Sequence, residues 1–464
     1  MRHLGGEMAG WTDTGPAGGP TYGYLLESLV PVGGRVLVAG PHDLTLLAAL
    51  RAYADVTCLV RGEPDAVSLE AAGFDVLCGT LAKLTGEYDT IVALDGVGRL
   101  CSVEGPQYDW AESVRVLHRS LRPGGSLLLA VENELGVHRL VDRITPTAAH
   151  TDADWRPLGE YDDSKPGTPA RLREHLITEG LTPGWLATAW PLPAAPTLVI
   201  DEPRLRYGPA GALAAAASAA TGAAYAARPV LSDPRRLAAT AIRAGLGPEL
   251  APAWLVLAFR GPGVPVTLPA AVRGGGPMPP LPEGRLLEEL LIGAALRHDL
   301  PALRRLLTSW VAAAPEFAAD NVIVDGDVFT VLDQSLVDDS PIHRFAETLL
   351  AGGYDHPWPH AGDVPSLAAV LLAAAGASFS GDFTPSVAPD SVREHEERVR
   401  RLEEQLADAA ERTRYAEAEL VRRDAELRKA RLQIDMFSGG VGYRLGRIGM
   451  RAARAARRRL RKTP

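Results

Sequence analysis

Between residues 35 and 132 the chain repeats one pattern, a short apolar run followed by a stretch whose apolar residues recur at helical spacing. The runs are "RVLVAG" (35–40), "DVTCLV" (55–60), "DVLCG" (75–79), "YDTIVAL" (88–94) and "GSLLLAVE" (125–132). "LTLLAALRAYA" and "DAVSLEAAG" separate the first three, a short connection leads to the fourth, and "WAESVRVLHRSL" precedes the fifth. Strands apolar on both faces, alternating with amphipathic helices, predict a mostly parallel sheet covered on both sides. The alternation places an α/β domain at 21–260, its last part an Ala-rich helical extension. Residues 1–20 are Gly-rich and are expected to be frayed.

The order of these features resembles the class I S-adenosylmethionine-dependent methyltransferases. "RVLVAG" stands where that family has its first strand and glycine loop, and "YDTIVALDGVGRL" resembles its fourth strand and following loop. "VLHRSLRPGGSLLLAVEN" is the most specific match; Pro123 sets φ for a tight turn, and Gly124 and Gly125 supply its backbone freedom. The resemblance implies a Rossmann-like fold with S-adenosylmethionine as cofactor.

Carried over residue by residue, Gly40 matches the first loop glycine, where a missing Cβ lets backbone pass close to the cofactor. His42 and Leu44 fall where the next two glycines usually stand, and Val38 replaces the first strand's acid. The acid that takes both ribose hydroxyls at the end of the second strand is replaced by Val60 and then Arg61. Asp43, Glu63 and Asp65 are close enough to substitute, and Asp95 matches an acidic position after the fourth strand. The cofactor-binding candidates are therefore Gly40, Asp43, Arg61 and Asp95. His138 is the catalytic candidate, because methyl transfer to a hydroxyl needs a base; His118 reads as structural. Cys58, Cys78 and Cys101 lack metal-ligand spacing, so no metal site is expected.

"AVENELGVHRLVDRI" resembles a segment of methyltransferases encoded with bacterial surface-polysaccharide genes, some of which carry a kinase-like module and then a coiled coil. The order here is similar. A Pro/Gly linker at 261–284 leads to a mainly helical module at 285–377. Within "PEFAADNVIVDGDVFTVLDQS", Asn321 and Asp333 resemble the Asn and metal-binding Asp of kinase-like phosphotransferases. Glu316 holds the place of the catalytic Asp, and neither a Gly-rich loop nor a strand lysine precedes it, so kinase activity is not expected. The same run also reads as a plain β-hairpin turning at Asp325 and Gly326.

From 391 to 437 the period becomes seven. Val399, Leu406, Thr413, Leu420, Leu427 and Ile434, with Leu402, Ala409, Ala416, Arg423, Ala430 and Phe437, form a seam apolar at ten of twelve positions, as a coiled coil requires. Residues 438–464 then hold nine Lys or Arg and no acid, while the rest of the chain has 39 basic against 57 acidic groups. If helical, this tail places Val441, Leu445, Ile448 and Ala452 on one side and arginines on the other, suiting an anionic membrane surface. Nothing else resembles a nucleic-acid module, so nucleic acid is not the expected partner.

These features together predict a cytoplasmic homo-oligomer, peripheral at the inner face of the cell membrane, with no secretory signal at the N-terminus. The resemblance implies methylation of a glycan or lipid-linked glycan hydroxyl in cell-envelope polysaccharide assembly. With two of three acidic anchors absent, a second reading stays open: an inactive pseudo-methyltransferase scaffolding a glycosyltransferase.

Overall fold

The computed structural model describes residues 1–143, 161–226, 228–263, 268–377 and 390–460. Parts of the linker (264–267) and of the basic tail (461–464) lie outside them. The apolar runs are strands, in the sequence β1 (Arg2–Gly5), β2 (Arg35–Ala39), β3 (Asp55–Val60), β4 (Asp75–Gly79), β5 (Tyr88–Ala93) and β6 (Leu121–Glu132). The chain continues with β7 (Thr182–Trp190), β8 (Leu198–Asp201), β9 (Pro229–Val230), β10 (Ala253–Phe259), β11 (Ala271–Arg273) and β12 (Gly276–Pro277). All but β9 join one eleven-stranded sheet in the order β1-β4-β3-β2-β5-β6-β10-β7-β8-β11-β12. From β1 to β6 the neighbours are parallel, and β10 runs antiparallel between β6 and β7. This is a mostly parallel, Rossmann-like sheet. The chain winds outward from β2 to β4 and then returns past β2 to β5, so strand order reverses between β2 and β5, and the crevice at their carboxyl ends is where such sheets bind ligands.

Period-two alternation assigns the two faces. Val36 and Val38 of β2, with Val56, Cys58 and Val60 of β3, meet α1 (Pro20–Leu29), α2 (Leu44–Arg51) and α3 (Glu63–Ala71). Leu37, Ala39 and Leu59 point the other way, onto α4 (Trp110–Arg119), which a reciprocal Asp109–Glu112 capping box starts. After α5 (Val137–Val141), α6 (Pro169–Thr178) joins α4 on that face through Leu172 and Leu176.

The Ala-rich stretch folds as α7 (Glu202–Tyr207), α8 (Ala210–Ala224), α9 (Pro234–Arg243) and α10 (Gly247–Leu250). Ala212 to Ala217 of α8 are all buried, so alanine here permits close packing on several sides. Among the described residues no helix is long and apolar enough to cross a membrane.

The structure differs from three sequence expectations. The "PGG" run expected as a tight turn lies inside β6, where Gly124 takes a φ of +81° and its amide donates to the Arg260 carbonyl. Residues 1–20 are ordered: β1 extends the sheet beside β4, and Met8, Asp13 and Ala17 are buried. The Pro/Gly stretch 261–284 contributes β11 and β12, because β8 leaves an edge on which β11 pairs.

The module at 285–377 combines a small antiparallel sheet of β13 (Arg285–Leu286), β14 (Val322–Asp325) and β15 (Val328–Val331) with four helices. These are α11 (Leu287–Leu296), α12 (Leu300–Ala313), α13 (Pro341–Ala351) and α14 (Val364–Ala375), packed around Leu291, Leu307, Trp310 and Phe345. Leu286 and Ile323 seat the module on Ala212 and Ala215 of α8. With β16 (Asp390–Ser391) pairing β9, everything from Met1 to Glu394 forms one compact unit. The second unit, His395–Pro464, holds most of α15 (Val392–Gly439) and all of α16 (Val441–Leu460). Along α15 the seam residues Leu402, Leu406, Leu420, Leu427 and Ile434 are exposed.

One joint between α9 and the module is built from charge. Burial beside Asp320 pushes the Glu288 carboxyl up to about 7, with Arg235 and a hydrogen bond from Thr348 pulling the other way; Asp320 is raised too, by burial. An acid whose folded pKa lies above its unfolded value stabilises the fold below the unfolded pKa and loses that contribution as pH rises through the folded one. Thermal unfolding should therefore fall in midpoint between about pH 5 and pH 7.5, and Glu288→Gln should flatten that dependence. An unchanged slope in scanning calorimetry would count against this joint.

Candidate cofactor site

At the switch point β2 is followed by Gly40, whose amide donates to the Leu59 carbonyl at 2.9 Å. Its φ of +93° favours glycine. An added Cβ would meet Leu100 at 3.5 Å and Asp95 at 3.7 Å, ordinary contacts, so backbone sign rather than space demands glycine here.

His42, in the second glycine's place, is a buried pin. Its Nδ1 lies 3.0 Å from the Gly40 carbonyl, and its Nε2 accepts from the Leu94 amide at 3.2 Å. These partners put the proton on Nδ1, and burial lowers the ring's pKa, keeping it neutral. Asp43 caps α2, its Oδ1 accepting from the Thr45 amide at 2.7 Å.

The two remaining cofactor candidates are engaged by arginine–aspartate pairs. Arg61, its side chain 0% exposed, donates to Asp13 at 2.6 and 3.1 Å and to the Cys101 carbonyl at 3.2 Å. The Trp11 ring lies 5.5 Å from its guanidinium. Arg99 holds both carboxylate oxygens of Asp95 and also donates to the Thr14 and Gly15 carbonyls. Both pairs thus tie the sheet's carboxyl edge to residues 11–15.

Beneath this segment lies a cavity of about 310 Å³. Val38, Leu47, Cys58, Val60 and Leu69 form its apolar wall; Asp43, Thr45, Asp65 and Ser68 supply polar groups, and Asp13 and Pro16 of the N-terminal segment line it too. No lysine or arginine is among its lining residues. Burial raises the pKa of the Asp65 carboxyl, with the nearby Asp13 charge adding to the shift, although it accepts the Asp13 amide at 3.0 Å. Of the four predicted cofactor residues, the cavity brings together Gly40 and Asp43, whereas Arg61 and Asp95 are not among its lining residues. The donor set fits a ligand with hydroxyls and positive charge over an apolar body, through Asp43 and Asp65.

His138 stands apart, buried on α5 with Nε2 3.1 Å from Glu132 Oε1. Asn133, in the "VEN" segment, donates to the Glu249 and Ala251 carbonyls and accepts from the Leu135 amide, pinning the turn after β6. The Asn321–Asp333 spacing has a local cause: the Asn321 amide brackets the Asp333 backbone at 2.8 and 3.0 Å, prolonging the β14–β15 pairing. The Asp333 carboxylate itself accepts from Ser335 and pairs with Arg273 at 3.4 Å. Among the described residues no cluster of His, Cys, Asp or Glu could hold a metal ion.

No protein-family model matches the chain, and no curated protein matches it. Among solved structures it is similar to an S-adenosylmethionine-dependent methyltransferase from Mesorhizobium loti, at 15% identity over 51% of this chain and 96% of that one, TM-score 0.30. Another from Thermotoga maritima is 12% identical over 52% and 90%, TM-score 0.31. The 1,6-didemethyltoxoflavin-N1-methyltransferase of Burkholderia thailandensis, with bound S-adenosylhomocysteine, is 15% identical over 52% and 77%, TM-score 0.27. At TM-scores this low the likeness carries no weight for function, and the fold stands on the strand order itself.

Gly40→Ala should cost about 1 kcal/mol or more in urea unfolding, because the positive φ strains any side chain. The loss should be the same with and without ligand, since the Cβ points toward Leu100 and Asp95. A loss seen only with ligand present would mean that Gly40 meets the ligand directly.

Proposed function

We propose that the chain is an S-adenosylmethionine-dependent methyltransferase acting on a glycan or lipid-linked glycan hydroxyl in cell-envelope polysaccharide assembly. One observation carries the cofactor: the switch-point cavity offers carboxylates and no cationic side chain. A dinucleotide or nucleoside triphosphate would bring phosphates against Asp43 and Asp65, where like charge is costly. S-adenosylmethionine brings a sulfonium cation and ribose hydroxyls, and when bound it supplies the methyl group. Asp65 and Asp43 would hold it, over the wall of Val38, Cys58 and Val60. His138 would serve on the acceptor side, where Glu132 holds Nε2 and Nδ1 has no hydrogen-bond partner among the described residues.

The glycan acceptor rests on the resemblance of "AVENELGVHRLVDRI", and the location rests on the C-terminal helices. The exposed seam of α15 suits a second copy of the chain, and α16 carries arginines without acids beside exposed Leu445 and Ile448. Together they would hold an oligomer at the inner face of the cell membrane, each tail adding a contact that the first makes effectively intramolecular.

The second reading, an inactive scaffold for a glycosyltransferase, is favoured by the two ion pairs that engage Arg61 and Asp95. Calorimetric titration of the full chain separates the two. The enzyme reading expects S-adenosylmethionine to bind more tightly than neutral S-adenosylhomocysteine, with ATP not binding. Asp65→Asn should weaken binding about tenfold to a hundredfold, since hydrogen bonds to a charged group are worth about 1.5–3 kcal/mol. No heat with either sulfur ligand at millimolar concentration would leave the scaffold.

Location has its own test. The full chain should pellet with anionic but not neutral liposomes, lose this on deletion of 438–464, and weaken with Leu445→Ser plus Ile448→Ser at unchanged charge. Leu406→Lys with Leu420→Lys should yield monomers by light scattering. Equal pelleting with both liposomes, or a monomeric wild type, would remove the corresponding helix from this account.

A further inference from the structure

We propose that residues 6–19 form a strap that gates the switch-point cavity, latched by Arg61 on Asp13 and by Arg99 on the Thr14 and Gly15 carbonyls. The gating rests on the proposed function; the latch does not.

The segment crosses the carboxyl edge of the sheet, and its contacts there are polar. Met8 donates its amide to the Arg61 carbonyl and accepts from the Glu63 amide; Asp13 donates its amide to Asp65. Ala17 brackets the cofactor loop, donating to the Pro41 carbonyl at 3.0 Å and accepting from the Asp43 amide at 2.8 Å. Gly18 then donates to the Ala194 carbonyl. Asp13 and Pro16 are among the residues that line the cavity.

Its apolar anchorage is slight. Met8 and Ala17 are the buried apolar residues of the segment, whereas most of its remaining residues are partly or fully exposed. Gly6, Gly10, Gly15 and Gly19 take positive φ and contribute no side chain to packing. A segment held by polar contacts and little core lies at the low end of local stability, while the sheet beneath it, with β2 and β3 almost wholly buried, lies at the high end. Such a segment opens without the sheet opening. The latches differ from surface ion pairs, because Arg61 and Asp13 have 0% and 2% exposed side chains and Arg99 and Asp95 have 7% and 5%. Neutralising one partner leaves the other buried without compensation, so each latch is sensitive to a single change.

Hydrogen exchange on the full chain without ligand tests the latch. The strap amides of Met8, Asp13, Ala17 and Gly18 should exchange at least about tenfold faster in Asp13→Asn and in Arg99→Gln, with amides of β2 and β6 unchanged. Uniform acceleration across the sheet, or no acceleration in either variant, overturns the strap. Stopped-flow binding of S-adenosylmethionine and S-adenosylhomocysteine then tests the gate. In Arg99→Gln, which alters no residue of the cavity's lining, association and dissociation should both quicken by similar factors. A slower dissociation, or a weaker Kd with association unchanged, overturns gating. Binding by Arg99→Gln but not by wild type supports the strap as a closed plug. If neither binds while strap exchange still rises, the latch stands and both the gate and the proposed function fall.

Discussion

Both faces of β2 are sealed, and most of the molecule follows from that. Val36, Leu37, Val38 and Ala39 are each at most 1% exposed, so alternate side chains need apolar cover on opposite sides. A parallel neighbour on each edge and helices on each face meet that demand, and each crossover carries the chain back over the sheet. The strands' sides are then closed to polar ligands, which leaves their carboxyl ends. There the backbone turns away at Gly40, and the sheet's neighbours diverge on either side of β2. The site's position is thus a consequence of core burial, whatever chemistry it serves.

What occupies that edge is decided by charge. A guanidinium with no exposed surface needs an anion and further acceptors; Arg61 has Asp13 and the Cys101 carbonyl. Asp13 lies in a segment with little apolar content, so the ion pair orders the segment as much as the segment completes the pair. With that cation neutralised, the carboxylates left facing the cavity set its sign.

The strands and the helices between them were legible because their signals are local, in short apolar runs and in apolar residues at helical spacing. So was the presence of Asp43 and Asp65 near the loop. The "PGG" run misled, because its pairing with the Arg260 backbone draws it into β6. The strap was not legible, since glycine at positions 6, 10, 15 and 19 looks the same in a frayed end as in a segment fixed by distant partners. Asp13 meets Arg61, and Thr14 meets Arg99, across separations that no periodicity encodes. The same limit hid the role of His42, which reads as a missing glycine yet ties Gly40 to Leu94. Asn321 and Asp333 show the converse, a motif spacing that a local hairpin clamp accounts for.

Arg61, which follows β3 where the resemblance implies an acid, is therefore more than a simple loss of charge. An arginine at a position with no solvent contact, set there alone, would carry a desolvation cost of several kcal/mol. In this chain the cost is met by a carboxylate from residue 13, held in bidentate geometry. The acid has in effect moved from strand to strap, so that opening the strap withdraws the negative partner and exposes a cation at the cavity's edge. A cationic ligand is then favoured by the closed state and disfavoured by the open one. The electrostatics that select the ligand are the same electrostatics that close over it.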